Sequence, residues 1–186
     1  MPYNFEIKAL SSLEKCFWDD QLSEKLEHTE FTVFRGQPLV YQVGIVRRDK
    51  VPFKTRFNVR LTGDLAEFAT VRRVVSVPSQ YPCNETTCDQ NYLRRKPGLF
   101  PDLLRPLHYN GQISLPYDSL QALWIEVTPP AGTAAGSYSL TLELYNLAND
   151  EFCISKTVQV RLLDAELPPQ RLIHTEWFYT DCLAEY

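Results

Sequence analysis

Three stretches of this chain alternate apolar and polar residues with a period of two, the pattern of an extended strand with one face buried. In TRFNVRL, which starts at Thr55, Phe57, Val59 and Leu61 share one face while Arg56, Asn58 and Arg60 share the other. YSLTLELY places Leu140, Leu142 and Leu144 on its buried side. ISKTVQVRL repeats the pattern, with Val158, Val160 and Leu162 in and Thr157, Gln159 and Arg161 out. Segments of this kind bury their apolar faces by laying one sheet against another.

Two further runs, LVYQVGIV from Leu39 and ALWIEV from Ala122, are apolar on both sides. They suit central strands of a sheet covered on both faces, or strands bordering another domain. FEIKAL, TEFTVF and VRRVVSV also read as strands. About eight or nine short strands separated by turn signals make the expected fold all-β, an immunoglobulin-like antiparallel β-sandwich. The prolines and glycines from Thr128 to Gly136 break the ladder there and suit a loop between neighbouring antiparallel strands.

Helix is scarce. Asp19 to Glu27 can form two turns, with Asp19 or Asp20 as N-cap and Leu22 and Leu26 one turn apart. From Ser79 to Pro116 the chain reads as a long irregular insertion, rich in Pro, Tyr, Asn and Asp. Insertions of that length in compact domains are usually functional or disordered. Its apolar content, including Tyr81, Tyr92, Leu99, Phe100 and Tyr109, argues that it packs against something.

Charge removes several function classes. The 23 acidic residues outnumber 19 basic ones, and the basic residues are scattered rather than gathered into a stripe. That gives no footprint for nucleic acid or an anionic membrane surface. No segment approaches the roughly 18 apolar residues of a membrane span, and the residues after Met1 form no secretory leader, so a cytoplasmic protein is expected. Five cysteines, an odd number, fit a reducing compartment better than a disulfide framework. The Asn84-Glu85-Thr86 sequon is then chance.

Candidate chemistry is sparse. Cys83 and Cys88 are the sharpest local pair of potential metal ligands, but a closed zinc site takes about four ligands and His108 is the nearest histidine. Reduced loop thiols are the simpler expectation, and no metal or other cofactor is expected. Glu176 and Asp181, with His174 close by, invite a paired-carboxylate reading, yet acid/base catalysis needs a defined separation that spacing on one strand does not provide. Asp181 reads more simply as a helix N-cap or first-turn acid. Of the tryptophans Trp18, Trp124 and Trp177, the one in LWIEV is expected to be core. No Gly-rich phosphate loop, Gly-x-Ser-x-Gly elbow or His-Glu-x-x-His segment is present, and no catalytic constellation is complete.

Four phrases in order, FTVFRGQPLVYQVGIV, RRKPGLFPDLLRPL, LWIEVTPPAGTAAGSYSLTLEL and LPPQRLIHTEWFYTDCLAEY, carry a resemblance across nearly the whole chain. Together they resemble the N-terminal part of the bacterial family whose catalytic domain is catalogued as domain of unknown function 4091. That family is related to glycoside hydrolase family 123, the β-N-acetylgalactosaminidases. The resemblance implies a sandwich over residues 1–166. It makes 167–186 a linker plus the first strand and helix start of a (β/α)8 barrel that carries the active site.

The family's catalytic Asp-Glu pair lies on later barrel strands, so no catalytic residue is carried onto this chain. Because the C-terminal ends of barrel strands face the active site, Trp177, Tyr179 and Asp181 are the implied substrate-binding residues of the complete barrel. The implied partners are that C-terminal barrel and a glycan. The expected role is a non-catalytic accessory domain that buttresses the barrel and edges its sugar site through residues 79–116. A carbohydrate-binding module and an immunoglobulin-like protein-interaction or assembly domain are the alternatives.

Overall fold

Residue Gly44, in the middle of the LVYQVGIV run, has no side chain, and the fold closes over that gap from outside the sandwich. The structure, a computed structural model, describes residues 4–49, 55–83, 86, 88, 90–166, 168, 171 and 173. Among them the chain forms β1 (Phe5–Ser11), β2 (Glu30–Arg35), β3 (Leu39–Arg47), β4 (Thr55–Thr62) and β5 (Ala69–Ser79). It continues through β6 (Gly98–Pro106), β7 (Gln112–Leu115), β8 (Leu120–Val127), β9 (Gly136–Asn146) and β10 (Phe152–Glu166).

These strands make two five-stranded sheets, one ordered β1-β3-β8-β5-β6 and the other β2-β10-β9-β4-β7. The pairings are antiparallel except that β2 runs parallel to β10, with Phe31 opposite Val160 and Val33 opposite Leu162. The expectation of a purely antiparallel sandwich is corrected at that edge. Between the sheets lie Tyr41, Val43 and Ile45 of β3, Leu123, Ile125 and Val127 of β8, and the alternating leucines of β9. Val158, Val160 and Leu162 of β10 and Phe57 of β4 complete this core, with Val59 and Leu61 half-buried at its margin. Phe5 meets Phe57 edge to face at 5.2 Å, an arrangement the ring quadrupoles favour. The period-two reading therefore assigned the buried faces correctly.

The double-sided runs are the central strands β3 and β8, covered on both faces as the first of the two alternatives expected. The outer face of β1, β3 and β8 carries Leu10, Val46, Leu120 and Ala122, and Cys16 and Leu22 from the connection between β1 and β2 close over them. Residues 12–29 are thus a strap laid across the first sheet. A Cβ on Gly44 would stand 2.8 Å from Leu22 Cδ1, 3.1 Å from Leu10 Cδ1 and 3.2 Å from Leu120 Cδ1, so glycine is what lets the strap seat. Trp124, read as core, is half-buried on this outer face, opposite Gln42.

The strap also corrects the helix reading. Only a 3₁₀ turn, Leu22–Glu24, forms there. Asp20 does not cap a helix: its Oδ2 accepts the Phe17 N–H at 3.0 Å. Leu22 is buried whereas Leu26 is 71% exposed, so the two leucines never share a face.

The insertion read as irregular from 79 to 116 contains β6 and β7. The prolines of GLFPDLLRP hid β6, but an edge strand tolerates proline because one side of its backbone has no ladder to complete. A register shift at Val75/Ser76 accommodates the extra residue opposite them. The Thr128–Gly136 loop, expected to join neighbouring strands, crosses from one sheet to the other instead, since β8 and β9 lie in different sheets.

Gly44→Val should destabilise the fold by about 1–3 kcal/mol through overpacking beneath Leu22. Chemical denaturation of the two proteins measures this, and an unchanged midpoint would contradict the packing described.

Candidate functional site

Only the first part of β5 belongs to the body of the sheet. Residues Ala69–Arg73 pair with β8, whereas Val74–Ser79 pair with β6 alone among the described residues. The two strands form an arm beyond the sandwich, and a two-stranded ribbon is marginal unless something packs on it. The strap supplies that packing.

Its rigidity comes from buried polar contacts. Gln42, only 3% exposed on β3, donates through Nε2 to the carbonyl oxygens of Ser11 at 3.1 Å and Glu14 at 2.7 Å. Lys25 donates to Glu14 Oε1 at 2.7 Å and pairs with Asp20 Oδ2 at 2.8 Å. Burial opposes the charge on Lys25, but the hydrogen bonds to Asp20 and Glu14 outweigh it and raise its pKa. Cys16 sits beneath this network, where burial pushes its thiol up to about 11, so it is a packing residue rather than a nucleophile.

Arg94 ties the loop at the tip of the arm to the strap. Its Nη2 lies 2.7 Å from Asp19 Oδ1 and 2.9 Å from Asp20 Oδ1. The guanidinium stands 3.7 Å over the Phe17 ring, and Phe17 meets Phe100 of β6 edge to face at 5.7 Å. The hydrogen bond from Arg94 holds the Asp19 carboxyl below its ordinary range, and the same contact raises the arginine.

Arm, tip loop and strap enclose a groove of about 720 Å³. Phe17 and Phe100 lie in its floor, Tyr81 and Tyr92 at its rim, and the exposed Lys15 and Asp102 line it as well. Tyr81 is 88% and Tyr92 45% exposed, so both rings present open surface. A smaller cavity of about 190 Å³ adjoins it through Lys15, Pro101 and Asp102 and runs under the strap to Gln42 and Trp124. Among the described residues lining the groove, Asp102 is the sole carboxylate, so no acid/base pair is assembled there.

The substrate-binding positions implied by the family resemblance, Trp177, Tyr179 and Asp181, lie outside the described residues, as do His174 and Glu176. Cys83 and Cys88 are both half-buried, and Cys83 Sγ lies 3.6 Å from the Arg95 carbonyl oxygen. Among the described residues no three His, Cys, Asp or Glu side chains gather as a metal site. Tyr81, Tyr92 and Phe100 stood in the segment expected to pack. The role of Arg94 was not foreseeable, because its acidic partners are 74 and 75 residues away in sequence.

No family model matches the chain. No curated protein matches it either. Among solved structures, 89% of the chain superposes with a TM-score of 0.66 and 10% identity on a family 123 glycoside hydrolase from Clostridium perfringens, described for glycolipid glycan hydrolysis. The match spans only 28% of that enzyme, so what is shared is the fold of one portion. AvmM, which catalyses macrocyclization in alchivemycin A biosynthesis, is matched over 90% of this chain and 93% of its own with a TM-score of 0.45 and 10% identity. A PapD-like domain of human CEP192 follows at 0.35 and 12% identity, over 87% of each chain.

Asp19→Asn should lower stability at neutral pH. Because the folded-state pKa of Asp19 is depressed, its contribution is present above the unfolded value of 3.8 and fades as pH falls below it. Urea midpoints of the two proteins should therefore converge between pH 4 and pH 2, and a gap independent of pH would show that the ion pair does not stabilise the fold.

Proposed function

We propose that this chain is a non-catalytic β-sandwich accessory domain of a larger glycoside hydrolase. Residues 1–166 form the sandwich, and 167–186 lead into a (β/α)8 catalytic barrel. The likeness of nearly the whole sandwich to one portion of a family 123 glycoside hydrolase carries this reading. The phrases PGLFPD and HTEWF extend it to the related family of domain of unknown function 4091 and to β-N-acetylgalactosaminidase chemistry. In that arrangement the sandwich buttresses the barrel, and the β5–β6 arm with its tip loop edges the sugar site. Trp177, Tyr179 and Asp181 line the pocket from the barrel's first strand.

Among the described residues no helix is long and apolar enough to cross a membrane. A cytoplasmic location is part of this proposal, on the odd cysteine count of the sequence. A second reading, a carbohydrate-binding module acting in its own right, is favoured by the exposed tyrosines at the groove rim. An aryl β-N-acetylgalactosaminide incubated with the purified chain should show no turnover above buffer. Release of the aryl group that scales with protein concentration and survives repurification would overturn the non-catalytic reading.

A further inference from the structure

We propose that the groove between the β5–β6 arm and the strap is a binding site for a neutral oligosaccharide. This rests on the accessory-domain reading only for where such a glycan would come from; the chemistry of the groove carries the ligand class. Its volume, about 720 Å³, falls within the range of small-ligand sites, roughly 300–1,000 Å³. Two exposed aromatic rings, Tyr81 and Tyr92, flank it, and such rings offer a flat apolar face with a polar tip. A pyranose has matching surfaces: C–H faces that lie against a ring, and a hydroxyl perimeter that reaches past it.

The charges select among ligands. Among the described residues, Lys15 and Arg94 are the cations lining the groove, and Arg94 is already held by Asp19 and Asp20. Among the described residues lining the groove, what remains is one exposed ammonium, Lys15, and one exposed carboxylate, Asp102. That balance gives no field to concentrate a phosphate or another anion. It does give a donor and an acceptor in one groove, with the Ser79 hydroxyl adding a group that can do either.

A sugar hydroxyl donates and accepts at once, so it satisfies both kinds of group. A proline-rich segment also suits aromatic-lined grooves, but its prolines carry no N–H to offer Asp102. Pro78, Pro82 and Pro101 line the groove, and their fixed φ angles limit the freedom lost when a ligand is taken up. The contacts of Arg94 with the strap and with Phe17 hold the tip loop in place beforehand.

The experiment applies the purified chain to an array of neutral and anionic oligosaccharides, with an immobilised octaproline peptide alongside, followed by calorimetry with the best neutral glycan. Neutral glycans should be retained. Tyr81→Ala and Tyr92→Ala should each weaken the calorimetric affinity by about tenfold or more while leaving the thermal unfolding midpoint unchanged, since both rings are exposed. An array with no retained glycan, retention of anionic glycans alone, octaproline bound in preference to every glycan, or unaltered affinity in both variants would each overturn the proposal. Hydrolytic turnover by the chain would instead overturn the non-catalytic reading and leave glycan binding at the groove standing.

Discussion

Both faces of β3 are closed to water, and the rest of the molecule is arranged around that fact. Its inner side chains, Tyr41, Val43 and Ile45, anchor the inter-sheet core. Its outer positions make a second interface that ordinary sandwiches leave to solvent. Gly44 provides the depression that receives Leu22, and two residues earlier Gln42 binds the carbonyl oxygens at the start of the strap. Shape and hydrogen bonding thus act on the same segment from adjacent outward positions of one strand. Without the strap the β5–β6 arm would lose one wall of its groove and the aspartates that hold Arg94.

Much of this architecture could be read from residue order, because strand burial is a local, periodic property. Alternation in β4, β9 and β10 identified the inner faces, and the two-sided apolarity of LVYQVGIV identified a strand covered twice. What covered it was not legible, since the strap has no periodicity of its own and is held by partners distant in sequence. Leu22 and Leu26 stand at helical spacing, yet local propensity was overridden when Gly44 captured one leucine and left the other exposed. β6 was hidden by prolines that an edge position permits.

The site was legible in composition but not in geometry. Aromatic residues between Ser79 and Pro116 signalled packing, but it is Phe100 that packs against Phe17 while Tyr81 and Tyr109 stay exposed. The stacking of Phe17 under Arg94 depends on the strap and the arm meeting in space. Crossing loops pose the same difficulty: the proline and glycine run after β8 announces a break in the ladder, but whether the next strand pairs in the same sheet is decided by which faces need burial.

The parallel pairing of β2 with β10 also governs how the chain assembles. β2 is made early, yet its ladder partner in the second sheet is β10, the last strand among the described residues, whose residues 159–163 lie opposite residues 30–34. During synthesis that edge stays open on the ribosome until β10 has emerged, and pairing across so long a separation is slow because loop closure must precede the contacts that reward it. Interior substitutions that weaken β9 or β10 would therefore prolong the time for which both backbone edges of β2 stand open to proteases and chaperones, whereas in the finished sandwich β10 covers one of them.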